Sequence, residues 1–147
     1  MADPRWRRPY YFRSYVGPLL LLALQLVAKD YRLTFALFAD NPTPSLNDTM
    51  TMFHSAVVVV APHGAGLSNV LFSQPGTYVV EGVCNRPKVN LCYKRLAHVL
   101  GHHWHGIMSR RGCPIVVNVS PPQIDYAVRE YLRLWSAHQV VKVGKMS

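Results

Sequence analysis

Residues able to do chemistry concentrate at Pro62-His63-Gly64-Ala65-Gly66-Leu67-Ser68-Asn69. Two glycines around one alanine let a backbone approach a ligand closely. A helix beginning there would aim unpaired N–H groups and a partial positive charge at the same point, a setting for a diphosphate. His63 can donate a hydrogen bond to a phosphoryl or sugar oxygen, and Ser68 and Asn69 fall in the first helical turn. No G-x-x-x-x-G-K-S/T occurs, which excludes a P-loop, and a dinucleotide fingerprint needs glycine where Asn69 stands. The plain alternative is a tight strand-to-helix connection whose glycines serve packing alone. Glu81 closes the next apolar run and is the only carboxylate between Asp48 and Asp125. An acid at such a strand end accepts ribose hydroxyls in nucleotide-binding sheets; an exposed glutamate without a ligand is the alternative.

Other chemistries find less support. Sugar hydrolysis needs two carboxylates flanking a bond, and the central region offers one. No G-x-S-x-G nucleophile elbow is present. On a strand, His103 and His105 share a face while His102 points oppositely, with no acid or cysteine close by before Cys113, so no metal site is expected. The three cysteines, Cys84, Cys92 and Cys113, lack CxxC or zinc-finger spacing. An odd count allows one disulfide and one leftover thiol. Asn47-Asp48-Thr49 and Asn118-Val119-Ser120 are glycosylation sequons, usable if the chain is lumenal.

The elements that must position these residues follow from periodicity. Residues 1–16 have no apolar period and read as an irregular basic, aromatic arm. Leu19–Tyr31 reads as helix after Gly17-Pro18, and Leu33–Phe38 as strand. Ser45 starts a helix to about His54, with Asp48 close to completing a capping box. Ala56–Ala61 is unbroken and mostly β-branched, the mark of a parallel strand buried on both faces. A short helix over Leu67–Phe72 and a strand over Thr77–Val80 come next. Then follow a helix over Leu91–Leu100 stopped by Gly101, strands over His103–Ile107 and Ile115–Val119, and a helix over Pro122–Trp135. The βαβαβ order predicts an α/β fold: a Rossmann-like, doubly wound, mostly parallel sheet with helices on both faces. The expected layout is an arm over 1–16, one domain over 17–138 and a tail over 139–147.

At 147 residues and 50% hydrophobic content, the chain can form one core and cannot hold two nucleotide-binding domains. Lys and Arg number 16 against 7 acids, but Arg5, Arg7, Arg8 and Arg13 crowd the arm and the rest are scattered, so no nucleic-acid partner is expected. The apolar run Gly17–Ala28 is shorter than the roughly 20 residues that cross a bilayer, so no membrane span is expected.

The stretch Ala56–Phe72 with its HGAGLSN core, then Pro75-Gly76, Val79-Val80-Glu81 and Asn90-Leu91-Cys92-Tyr93, resembles glycosyltransferase family 61. The resemblance runs over about residues 30–107. It implies one half of a GT-B fold, the carboxyl-terminal, donor-binding half, and sugar transfer with inversion from a UDP-sugar to a glycan or protein hydroxyl. It implies no metal or other cofactor. His63, Gly64, Ala65, Gly66, Leu67, Ser68 and Asn69 would then face the donor, and Glu81 its ribose. It further implies a catalytic base from a missing amino-terminal half, residence in the Golgi or endoplasmic reticulum lumen, and a Cys84–Cys92 disulfide. The expectation is therefore a fragment that binds donor weakly without transfer. A non-catalytic nucleotide-sugar or nucleotide-binding module is the alternative, and a dinucleotide-dependent oxidoreductase is disfavoured by Asn69.

Overall fold

The computed structural model describes residues 10–12, 17–39, 42–85, 87–109 and 119–144, with 10–12 and 138–144 as backbone alone. Five parallel strands form one sheet: β1 (Tyr10–Phe12), β2 (Ala36–Phe38), β3 (Val58–Pro62), β4 (Tyr78–Val83) and β5 (His103–Met108), in the order β2-β1-β3-β4-β5. Helices α1 (Pro18–Asp30) and α4 (Pro121–Gly144) cover one face. Helices α2 (Leu46–His54) and α3 (Cys92–Val99) and a 3-10 helix (Ala65–Phe72) cover the other. This is the expected Rossmann-like α/β architecture.

The central strands read as they do because both of their faces are covered. Val58 and Val60 pack with Leu20, Leu24, Ile124 and Val128, while Val59 and Ala61 pack with Phe53, Leu67 and Val70. All six residues of β4 are buried. Helix ends follow local chemistry. The Ser45 hydroxyl accepts from the Asp48 N–H at 3.1 Å and donates to its carboxylate at 2.6 Å. Gly101, at φ +72, closes α3 with N–H bonds from Gly101 to His98 and from His102 to Ala97, the pairing that a left-handed glycine makes possible.

Four expectations are corrected. Tyr10–Phe12 of the arm forms β1, inserted between β2 and β3; three aromatic residues favour a strand, but the flanking arginines hide so short a segment. The helix after the glycines begins at Ala65 and is a 3-10 helix, not a helix from Leu67. The last helix runs from Pro121 to Gly144. The boundaries expected after residues 16 and 138 therefore mark no structural break, because β1 belongs to the sheet and position 138 lies inside α4. Of the strand expected over Ile115–Val119, residues 115–118 lie outside the described residues and Val119 is not in a strand. No helix among the described residues is long and apolar enough to cross a membrane.

Candidate functional site

The order reverses between β1 and β3, and in such sheets the crevice for a ligand opens at the carboxyl ends of the strands there. The loop that leaves β3 at this point is His63–Gly64. The His63 N–H donates to the Gly82 carbonyl at 2.8 Å, tying the loop to β4. Gly64 is extended (φ 171, ψ 166), and its carbonyl accepts from Leu67 N–H at 3.0 Å to begin the 3-10 helix. A Cβ at Gly64 would meet nothing within 4 Å, so the loop borders open space. Among the described residues, the N–H groups of Gly64, Ala65 and Gly66 have no backbone partner. Three free donors on consecutive residues are what an anion recruits.

Behind the loop lies a polar cluster. Glu81 is fully buried, yet both carboxylate oxygens are satisfied: Oε1 by His63 Nδ1 at 2.5 Å and Oε2 by the Trp104 indole N–H at 2.7 Å. A carboxylate removed from water stays in place only when so bonded. The register explains the second contact. Glu81 lies opposite Gly106, and Trp104, two residues earlier on the same face of β5, reaches forward over that glycine. The His63 ring, 23% exposed, meets the Tyr93 ring edge-on at 5.2 Å, and the Lys94 ammonium stands 5.5 Å from the centre of the Trp104 ring. With Nδ1 turned to Glu81, Nε2 is the nitrogen left to meet a ligand. It can donate when the ring is charged or accept a proton when the ring is neutral.

The structure thus brings His63, the three loop amides and Glu81 together but redistributes their roles. Glu81 is corrected from ribose acceptor to buried partner of His63, because its oxygens are spent on two N–H donors. Leu67 is corrected from donor contact to core: it is 1% exposed and packs with Phe53 and Val59. Ser68 is exposed and Asn69 half-buried in the 3-10 helix. The expected Cys84–Cys92 pairing is also corrected. Cys84 is in a disulfide, whereas Cys92 is free and exposed as the first residue of α3, its N–H bonded to Asn90 Oδ1 at 3.0 Å. Cys113 and Asn118 lie outside the described residues. Asn47 is exposed in the first turn of α2, while Thr49 of the same sequon is buried.

His102 is buried with its Nε2–H donating to the Val70 carbonyl at 3.0 Å, while His103 and His105 are exposed on β5. No group of three His, Cys, Asp or Glu side chains among the described residues is placed to hold a metal ion. Two grooves lie away from the loop. One of about 600 Å³ runs along α2 past Asn47, Met50 and Phe72, and one of about 760 Å³ lies at the amino ends of β4 and β5 beside Tyr78, His103 and Tyr131.

The glycosyltransferase 61 family profile matches residues 23–80. Over that segment the chain is similar to glycosyltransferase family 61. The match runs from α1 through β3 and the whole 62–69 loop to β4, stopping one residue short of Glu81, and it supports a glycosyltransferase function in general terms. No curated protein matches the chain. Tyr93, Lys94 and Trp104, all beyond the matched segment, were not legible as site residues. The one available signal was the Trp104-x-Gly106 spacing, which in a strand puts a large ring beside a position with no side chain.

Proposed function

We propose that the chain is the donor-binding half of a family 61 glycosyltransferase, holding the diphosphate of a UDP-sugar on the Gly64–Gly66 amides and on His63 Nε2. The observation that carries this reading is three consecutive amides without a partner among the described residues, beside open space at Gly64 near the switch point and a histidine bonded to a buried carboxylate. In transfer, the bond from the sugar's anomeric carbon to the β-phosphoryl oxygen breaks and the nucleotide departs as UDP. Donors fixed on that diphosphate stabilise the charge as it develops, with no metal required. A base from outside this chain takes the proton of the glycan or protein hydroxyl that attacks. The work takes place in the lumen of the Golgi or endoplasmic reticulum, as the resemblance to family members implies.

Calorimetric titration with UDP, a UDP-sugar and NAD tests the reading. UDP and the UDP-sugar are expected to compete for one site lost in Gly64→Val, with NAD far weaker. Equal binding of NAD, or UDP binding that survives Gly64→Val, would contradict it. The chain alone is expected to show no sugar transfer to an acceptor, and transfer by the isolated chain would overturn the assignment of the base.

A further inference from the structure

We propose that Trp104, seated over Gly106, is a positioning residue that fixes which nitrogen of His63 carries the proton, acting through Glu81. An indole N–H donates and never accepts. Oε2 of Glu81, 2.7 Å from Trp104 Nε1, is therefore an acceptor, which leaves Oε1 to face His63 Nδ1; a carboxylate only accepts, so against it the proton of the Oε1–Nδ1 contact sits on Nδ1. A carboxylate held on one oxygen can swing about its last bond; held on both, it is locked, and the imidazole bonded to it is locked in turn. The neutral ring is thereby kept in the Nδ1–H form, with the Nε2 lone pair directed away from Glu81. An unconstrained imidazole prefers the opposite form.

Gly106 makes this arrangement possible. A Cβ there would lie 2.3 Å from Trp104 Cη2, 2.7 Å from Cζ2 and 3.1 Å from a Val83 methyl. Backbone pairing on β4 holds Gly106 opposite Glu81, so the ring would have to yield and carry its N–H off the carboxylate. The Lys94 ammonium, 5.5 Å from the ring centre, adds a cation–π contact to the indole. Neither Trp104 nor Gly106 lies within the family match, and both come late in the chain, on β5.

The test removes the N–H without removing the ring. Trp104→benzothienylalanine keeps the shape and replaces the indole N–H with sulfur, and Gly106→Ala displaces the ring by sterics. Long-range ¹⁵N–¹H correlation of the labelled full chain reads the His63 tautomer directly, with His63→Asn identifying the signal. Wild type is expected as the Nδ1–H form and both variants shifted toward the Nε2–H form, with UDP binding weakened about fivefold. A purely structural role for Trp104 would lower stability and leave the tautomer alone, and an unchanged tautomer in both variants overturns the proposal. The UDP readout rests on the donor-binding reading; the tautomer readout does not. A tautomer shift in a chain that never binds UDP would therefore refute that reading and still support the role of Trp104.

Discussion

The two ends of β4 carry different kinds of polar network. At the start, Tyr78 stacks on Tyr131 with ring centres 4.3 Å apart, and the Tyr131 hydroxyl donates to the Gly76 carbonyl at 2.6 Å. Two tyrosines and one carbonyl are tied together without a charge. At the other end, three residues later, a fully buried carboxylate faces His63 and Trp104. A neutral network can serve packing and end there. A buried carboxylate costs several kcal/mol unless its partners are near-ideal, and a strand that needs only packing has no use for it. Glu81 is bonded instead to a partly exposed side chain, His63, the group to which the proposed donor site assigns a role.

Breaking the charged end has the largest expected effect. His63→Ala leaves Glu81 with one donor and should lower stability by about 2 kcal/mol, below the full buried-pair value because His63 is partly exposed. UDP binding should fall at least about tenfold, the scale of one charge-assisted hydrogen bond. Urea denaturation and calorimetry check the two numbers. If His63→Ala were as stable as wild type, Glu81 would not depend on it.

The neutral end should break more gently. Tyr131→Phe removes one hydrogen bond and keeps the ring, costing about 1 kcal/mol, with UDP affinity unchanged. A loss of UDP affinity would mean that the two ends are coupled. The same end gives a pH signature. Burial raises the titration of Tyr78 above the ordinary tyrosine value, with Tyr131 adding repulsion, and burial raises Tyr131 as well. The folded state thus holds these protons more tightly than the unfolded chain. Their stabilising contribution is complete below about pH 10, the unfolded value, and is lost as pH rises through the folded values. Urea midpoints should fall above pH 10, and less steeply in Tyr131→Phe; an identical fall in both would exclude Tyr131 as a source.

The smallest effect belongs to the surface far from either end. Arg129 on α4 joins Asp30 at 2.7 Å and Asp125 at 3.0 Å, but it is 37% exposed. Solvent screens such pairs, so Arg129→Met should cost no more than about 1 kcal/mol. A larger loss would place this link between α1 and α4 among the main supports of the fold.

What the sequence revealed follows the range of the forces involved. β3 was legible because a run of valines has only one comfortable place, the middle of a covered sheet. The Ser45 cap and the Gly101 stop were legible because each is satisfied within a few residues. The loop at 62–66 was legible as a donor-rich bend because its glycines and the helix that follows lie within a few residues of one another. Glu81 was misread because its burial is decided by Trp104, 23 residues later in the chain and brought close only by the β4–β5 register. β1 was missed because pairing with β2 and β3, not local pattern, makes three residues a strand. The Cys84–Cys92 pairing was expected only from the family resemblance, and Cys92 stands free and exposed at the start of α3.

The most direct test compares UDP with uridine on the ¹⁵N-labelled chain, since the two differ only in the diphosphate. UDP is expected to move the backbone amide signals of Gly64, Ala65 and Gly66 and the His63 imidazole signals in a saturable way, with uridine leaving them nearly still. Equal responses to both, or movement confined to residues outside the loop, would contradict the claim that this bend holds diphosphate.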